Sequence, residues 1–322
     1  MRSSISNSEV APSRAFEVIR GGKTQRSIWA IVLGLMLIAL AAEFLTSLAV
    51  NHVSKILRRT QQEYSDAAKL KPFSTSGTPT VLLLGNSLLR DSIDYPVLRG
   101  ALSSEYDVHR LVFEQTEYID QFYVLRTLLR NGARPREVVL CISVNHLLGN
   151  ETRGEFMSRY MDASDVASLG RRLHLDATTV SSLMFAHWSE WYAFRADTRK
   201  AVLGAVLPNV RDLVTTLGWR RPAPLSADEV RFKAEPRLRE LKTLCDQYHV
   251  QLTILVPPAL SQDRSDVVVS LGENIGLRVL IPEQPGALNA DLFQDGFHLN
   301  ETGAAIFTGK VQSELVTLNP WP

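Results

Sequence analysis

Short apolar segments alternate with segments of helical periodicity from residue 80 onward, and this alternation constrains the fold most strongly. The short segments are rich in Val, Ile and Leu, which is typical of parallel strands buried on both faces. Helical segments between such strands predict one parallel sheet with helices on both of its faces. We predict strands at 80–84, 108–113, 138–144, 251–256 and 278–281, and helices at 120–131, 234–248, 265–274 and 302–315.

Three polar residues have the types and order of a catalytic triad. Ser87 follows the first predicted strand, so it lies at the carboxyl edge of the sheet, where open α/β sheets bind ligands. A serine hydroxyl needs an adjacent base to act as a nucleophile, and His298 is the candidate base. Asp295 precedes it by three residues and can orient its ring. Taken singly, each of these residues is also an ordinary turn or cap residue.

The segments that carry these residues resemble the SGNH, or GDSL-type, hydrolase superfamily. Gly85-Asn86-Ser87-Leu88 resembles its first block, Gly-Asp-Ser-Leu, and Asp295-Gly296-Phe297-His298 resembles its last block, Asp-x-x-His. Asn145, after the third predicted strand, resembles the asparagine of its oxyanion hole. The resemblance implies a three-layer α/β/α, flavodoxin-like fold, a Ser87-His298-Asp295 triad, and an oxyanion hole formed by Ser87 and Asn145. We expect no cofactor and no metal, because the sequence has no Cys-x-x-Cys pair, no His-Glu-x-x-His motif and no phosphate-binding or dinucleotide-binding glycine motif.

Two departures from the family pattern keep a non-enzymatic interpretation open. Asn86 stands where the commonest form of the first block has aspartate. The second-block glycine, which supplies a backbone donor in the family, is not evident after the second predicted strand, where the chain reads Glu114-Gln115-Thr116-Glu117. The alternative is therefore a degenerate SGNH scaffold that serves as an accessory subunit of a membrane complex.

An apolar segment near the amino terminus predicts a membrane anchor. It runs from Ile28 to Val50, and a helix needs about 20 residues to cross a bilayer core. We predict a cytoplasmic tail at 1–26, a transmembrane signal anchor at 27–50, a linker at 51–78 and an SGNH-like domain at 79–320. With this anchor in the cell (inner) membrane, we predict that the SGNH-like domain lies in the periplasm or outside the cell. A cleaved signal peptide is the alternative, because Ala39-Leu40-Ala41 has the small-x-small form.

A mostly helical insert is predicted at 150–231, after the segment that contains Asn145. It holds clustered aromatic residues, together with Arg195 and Arg199. One interpretation is a lid or an acceptor groove, in which the rings stack on sugar faces and the arginines bind anionic groups. The other is an aromatic core of the insert. His146 is expected near the same edge, facing solvent or capping the insert, and without a catalytic role.

Charge and cysteine content narrow the classes of function. The formal net charge of +1 favours no nucleic-acid partner. Cys141 and Cys245 form no Cys-x-x-Cys pair and are predicted to be buried free thiols. The resemblance then implies a serine esterase or O-acetyltransferase that acts on a carbohydrate or other acyl ester, beside a multi-span acyltransferase. A lipid or thioester hydrolase is a further alternative.

Overall fold

The computed structural model describes residues 22–52, 55–154, 159–196, 198–199, 203 and 225–317. Most of the predicted tail, 1–26, lies outside the described residues, as do 155–158 and most of 200–224 in the predicted insert. The chain divides into two units, Met1–Phe44 and Leu45–Pro322.

Helix α1, Gly22–His52, contains the apolar segment. Its stretch Ser27–Leu48 has 22 residues and a mean hydropathy of 2.4. At about 1.5 Å per residue, such a stretch is long enough to cross the hydrocarbon core of a bilayer. Length and composition alone do not separate a membrane anchor from a signal sequence.

Five parallel strands form one sheet in the order β2-β1-β3-β4-β5. Their bounds are Thr80–Gly85 for β1, Asp107–Val112 for β2, Glu137–Cys141 for β3, Gln251–Leu255 for β4 and Arg278–Leu280 for β5. This is the flavodoxin-like strand order, and it reverses between β1 and β3, where ligands bind in such sheets. The predicted α/β fold is therefore confirmed.

Helices connect the strands and surround the sheet. In the region between α1 and β2 they are α2 Lys55–Ala67, α3 Ser87–Ser92 and α4 Tyr95–Ala101. Beyond β2 they are α5 Tyr118–Arg130, α6 Val144–Leu148, α7 Ala163–Arg172, α8 Ala177–Trp188, α9 Glu190–Ala193, α10 Ala227–Gln247, α11 Ser265–Ile275 and α12 Glu301–Thr317, with a 3-10 turn at Ala290–Leu292.

The side chains of β1 alternate between two cores, one on each face of the sheet. Leu82 and Leu84 belong to a core with residues of α5, α10 and α11. Val81 and Leu83 belong to a second core with residues of α3, α4 and α12. All four are nearly inaccessible to solvent. Burial on both faces explains why β1 is continuously apolar, and it makes the unit three-layered.

Two local predictions differ from the structure. The predicted strand 138–144 ends earlier, at Cys141, because the Ser143 hydroxyl accepts from the backbone N–H of His146 at 3.3 Å and caps α6. Asn145 therefore lies in the first turn of a helix rather than at a strand end. The predicted linker, 51–78, contains α2, and the hydroxyl of its buried Thr60 donates to the Val112 carbonyl at 3.1 Å. Because α2 packs on β2, this stretch is not an extended tether.

Candidate active site

Ser87 is held at the junction between β1 and α3. Gly85 ends β1 and pairs with Val112 on one side and Cys141 on the other. A Cβ atom at Gly85 would lie 2.8 Å from the Leu89 Cβ and 2.9 Å from the Cys141 carbonyl oxygen. Only glycine fits this approach without movement of the backbone. Ser87 follows as the first residue of α3.

The structure brings the three predicted triad residues together. The His298 Nε2 atom lies 3.0 Å from the Ser87 Oγ atom, although the two residues are 211 positions apart. The His298 Nδ1 atom lies 2.8 Å from the Asp295 Oδ2 atom. With the proton of the ring on Nδ1 and donated to Asp295, Nε2 can accept the hydroxyl proton of Ser87. This chain of hydrogen bonds has the geometry that activates a serine.

Asp295 is fixed by its own loop as well as by the ring of His298. Its Oδ1 atom accepts the backbone N–H groups of Phe297 at 3.0 Å and His298 at 2.8 Å. Partial burial alone raises the pKa of Asp295, but these hydrogen bonds and the one from the His298 ring outweigh it and lower the pKa below 3.8. The carboxylate is therefore ionised at neutral pH. Gly296 supplies the turn with a φ of 78°.

Asn86 is fully buried and makes three hydrogen bonds. Its Oδ1 atom accepts from the Leu88 N–H at 2.9 Å and so caps α3. Its Nδ2 atom donates to the Thr116 carbonyl at 2.8 Å and lies 3.1 Å from the His146 Nδ1 atom. An ionised aspartate has no proton to donate to either partner. The asparagine in place of the usual aspartate is therefore matched to its surroundings.

His146 belongs to the same cluster. Sequence analysis placed it near this edge, but the expectation that it faces solvent or caps the insert is wrong, because its Nδ1 atom contacts the buried Asn86. Its Nδ1 atom also lies 3.1 Å from the Ser143 hydroxyl, and its ring packs edge-on against Phe297, with 5.7 Å between the centroids. Burial, with a smaller contribution from His298, lowers the pKa of His146 to about 4. The ring is therefore neutral at neutral pH. Because the Nδ2 atom of Asn86 can only donate, Nδ1 is the acceptor and Nε2 carries the proton.

The structure places the two residues of the predicted oxyanion hole at the same edge of the sheet. Asn145 lies in the first turn of α6, after β3, whose last residue Cys141 pairs with Gly85. Ser87 and Asn145 thus follow neighbouring strands at one edge of the sheet. As the first residue of α3, Ser87 has a backbone N–H without an acceptor inside that helix. The two donors remain a prediction from the resemblance.

The backbone near the expected second block takes a glycine-like conformation without a glycine. Gln115 has a φ of 55°, in the left-handed region that glycine adopts most readily. The next residue, Thr116, is fully buried and presents its carbonyl to Asn86. The missing glycine therefore does not by itself prevent the turn that reaches the site.

The predicted insert leaves three of its clustered aromatic side chains exposed. Phe185 is 60% exposed, Trp188 69% and Trp191 47%, whereas Phe194 is buried at 5%. The interpretation of a packed aromatic core is therefore wrong for the first three. Cys141 and Cys245 are buried free thiols, as predicted. Within the described ranges, no group of three or more His, Cys, Asp or Glu side chains is arranged to hold a metal ion.

Comparison with known proteins gives structural similarity only. No family model matches the chain, and no curated protein matches it. A protein assigned as an acylhydrolase from Bacteroides fragilis is 11% identical, with a TM-score of 0.41 over 80% of this chain and 96% of that one. A GDSL-like lipase from Bacteroides thetaiotaomicron is 10% identical, with a TM-score of 0.41 over 80% and 98%.

An acetylxylan esterase from Geobacillus stearothermophilus, solved as a catalytic mutant, is 14% identical, with a TM-score of 0.41 over 76% of this chain and 96% of that one. These structural neighbours are of the classes that the sequence resemblance names. At such low identities and TM-scores they carry no argument about activity, which rests on the geometry of the site.

Proposed function

We propose that this protein is a serine acyl esterase or O-acetyltransferase, with Ser87 as nucleophile, His298 as general base and acid, and Asp295 as the orienting carboxylate. The observation that carries the proposal is the continuous chain of hydrogen bonds from Ser87 through His298 to Asp295, at 3.0 and 2.8 Å. The first hydrogen bond gives Ser87 an adjacent base, and the second orients the ring of that base.

The chemistry follows from these positions. The Ser87 oxygen attacks the carbonyl carbon of an ester while His298 takes the hydroxyl proton. The bond to the leaving oxygen breaks, His298 returns the proton to that oxygen, and the acyl group remains on Ser87. Water or a sugar hydroxyl then attacks the acyl-serine, again through His298. Water yields an esterase, and a sugar hydroxyl yields a transferase.

The Ser87 N–H and the Asn145 amide are the proposed donors to the negative oxygen of the tetrahedral intermediate. Loss of one such donor lowers turnover by about a hundredfold to a thousandfold in other serine hydrolases. Asn145→Ala is therefore expected to reduce turnover to that extent while Ser87 remains reactive toward an activated probe.

We place the catalytic unit outside the cytoplasm, tethered by α1 in the cell membrane. The apolar stretch Ser27–Leu48 supports this placement by length and composition. The substrate is then a carbohydrate or another acyl ester of the cell envelope, and a multi-span acyltransferase is the proposed donor of acyl groups. Protease protection of the full chain in oriented vesicles tests the placement, because a domain on the cytoplasmic side would contradict it.

The activity is tested by labelling the full chain, in detergent, with a fluorophosphonate probe. Wild type is expected to be labelled, and Ser87→Ala and His298→Ala are not. The matched controls are Ser103→Ala and His109→Ala, which should label as wild type does. His109 is a suitable control because it pairs with Asp107 at 3.0 Å, as His298 pairs with Asp295, but lies opposite Leu82 within β2 rather than at the carboxyl edge of the sheet.

The result also separates the alternatives. A folded wild type that is not labelled favours the degenerate scaffold. If the wild type is labelled, its rates of hydrolysis of sugar acetyl esters, long-chain esters and thioesters are compared. Preference for sugar acetyl esters supports the proposed activity, and preference for the others indicates a lipid or thioester hydrolase. A product in which the acyl group moves to a second sugar rather than to water identifies a transferase.

A further inference from the structure

A cleft of about 680 Å³ lies in the described part of the helical insert, between α8, the segment that follows α9, and residues 151–154. Its volume is within the range of sites that bind small molecules, roughly 300 to 1,000 Å³. Gln115, after β2, forms part of its wall. The cleft therefore reaches the carboxyl edge of the sheet.

The wall of this cleft is positively charged. Arg153, Arg195 and Arg199 line it, whereas Glu151 is the one acidic residue among its described lining residues. Thr178, Thr179 and Ser182 add hydroxyl groups. Hydroxyls and guanidinium groups on one wall are the donors that recognise carboxylate and phosphate oxygens.

Arg195 is held in place by neutral groups. Its Nη1 atom donates to the Tyr192 carbonyl at 2.7 Å and its Nη2 atom to the Ser182 hydroxyl at 3.0 Å. Its guanidinium also lies over the Tyr192 ring, 3.8 Å from the centroid. The neutral contacts fix the position of the guanidinium without neutralising its charge. A guanidinium has five N–H donors, so further donors remain for a ligand.

This arrangement differs from that of two arginines that pair with acidic residues of the insert. Arg126 pairs with Asp165 at 2.7 Å, and Arg159 pairs with Glu190 at 2.8 Å. Within the described ranges, neither Arg195 nor Arg199 has a carboxylate partner. A preorganised cation without a protein counter-ion, in an open cleft, is suited to an anionic ligand.

A short path of contacts connects the cleft with the serine. Gln115 in the cleft wall precedes Thr116, whose carbonyl accepts from Asn86 at 2.8 Å. Asn86 in turn precedes Ser87. The cleft and the nucleophile are therefore linked through Gln115, Thr116 and Asn86 at the same edge of the sheet.

We propose that the cleft binds an anionic group, a carboxylate or a phosphate, on the molecule that donates or accepts the acyl group of Ser87. The assignment of that molecule as a substrate rests on the proposed function. Arg195 and Arg199 contact the oxyanion directly, and the Ser182 hydroxyl, which accepts from Arg195 at 3.0 Å, holds that guanidinium in place. The anionic group selects the substrate, while acyl transfer takes place at the serine.

The test is direct binding to the full chain in detergent, carrying Ser87→Ala so that no turnover occurs. Trigalacturonate is the carboxylate probe, its trimethyl ester is the neutral counterpart, and glucose 1-phosphate is the phosphate probe. Arg195→Gln and Arg199→Gln are each expected to weaken binding of the preferred anion by about tenfold to a hundredfold. Binding of the trimethyl ester should be weak and equal in every variant.

Arg171→Gln is the matched control, because Arg171 is an exposed arginine of the same insert that does not line the cleft. Arg199 is exposed, so its replacement keeps the test valid if Arg195→Gln fails to fold. Selective loss of trigalacturonate binding identifies a carboxylate ligand, and selective loss of glucose 1-phosphate binding identifies a phosphate ligand. The proposal would be overturned if Arg199→Gln bound each of the two anions as tightly as Arg171→Gln does.

Fluorophosphonate labelling of the wild-type chain is run in parallel, because it separates the two proposals. Arginine-dependent anion binding in a chain that is not labelled supports the cleft and contradicts the catalytic function. Labelling of Ser87 together with anion binding that does not depend on Arg195 or Arg199 supports the catalytic function and refutes the cleft.

Discussion

Replacing Asn86 with aspartate introduces the residue that the SGNH motif most often has at this position, yet we expect it to destabilise this protein. The side chain is fully buried, and both the oxygen and the nitrogen of its amide form hydrogen bonds. Aspartate retains an oxygen for the Leu88 N–H, at 2.9 Å in the wild type. When ionised, it loses both donated hydrogen bonds, to the Thr116 carbonyl at 2.8 Å and to the His146 Nδ1 atom at 3.1 Å.

The size of the effect follows from these contacts. Each lost hydrogen bond contributes about 1 kcal/mol, and a buried carbonyl left facing a carboxylate costs about 1 to 3 kcal/mol more. We therefore expect Asn86→Asp to lower the free energy of unfolding by about 3 to 5 kcal/mol at neutral pH.

The loss should depend on pH with a defined sign. Burial raises the pKa of a carboxyl at position 86 above its value in the unfolded chain. A raised pKa in the folded state stabilises the protonated form at low pH, and this stabilisation disappears as the pH rises through that pKa. The protonated acid can also donate to Thr116. The difference from wild type is therefore smallest in acid and largest at neutral and alkaline pH.

Urea unfolding of the full chain in detergent, followed by tryptophan fluorescence at several pH values, measures the effect. Asn300→Asp is the matched control. Asn300 also donates from Nδ2 to a carbonyl, that of Asp291, at 2.6 Å, and accepts from the Gly303 N–H at 3.0 Å, but its amide donor is exposed. Water can replace that contact, so we expect a change of about 1 kcal/mol or less. Equal losses for the two variants at neutral pH would refute the reasoning.

Three further predictions concern the same edge of the sheet and the buried thiols. Asp295→Asn should lower kcat by about a thousandfold to ten-thousandfold in a steady-state ester assay, because an amide that donates to His298 Nδ1 places the ring proton on Nε2. Gly85→Ala should lower the free energy of unfolding by about 1 to 3 kcal/mol in urea, because the added Cβ meets the Cys141 carbonyl. Cys141 and Cys245 should resist iodoacetamide until the chain unfolds, since burial raises the pKa of Cys245 to about 12 and that of Cys141 further.

The controls for these predictions come from the same chain. Gly100→Ala, in α4, adds a Cβ with nothing within 4 Å and should not destabilise the protein. A loss as large as that of Gly85→Ala would contradict the steric explanation. Asp107→Asn alters the other histidine-carboxylate pair and should leave kcat unchanged. Alkylation of either cysteine in the folded chain would show that the thiol is accessible.

Local patterns were sufficient to predict the sheet and the placement of Ser87, Asp295 and His298 close together at its edge. The central strands β1 and β3 are short runs in which every residue is buried, so their identity did not depend on distant partners. Asp295 and His298 belong to one turn, and their pairing was readable from their spacing. The contact between Ser87 and His298 followed from two motifs at the carboxyl edge, which the parallel topology brings together.

Features that depend on register or amphipathicity were not predicted. His146 is 60 positions from Asn86, and only the pairing of β1 with β3 places the two side chains in contact. The start of α6 at Val144 did have a sequence signal, because Ser143 is a favoured N-cap residue. Helix α2 is polar overall, and its contact with β2 depends on one face that includes the buried Thr60.

A local turn and a long-range contact together align Asp295, His298 and Ser87. Hydrogen bonds within the turn hold the Asp295 carboxylate, and this carboxylate in turn orients the His298 ring. The distance from His298 to Ser87 instead depends on how α12 packs against α3 and α4. Thr308 of α12 fixes that packing, because its buried hydroxyl accepts from the Asp94 N–H at 2.9 Å, at the start of α4. The alignment of Ser87 with His298 therefore depends on the second core as much as on the Asp295 turn.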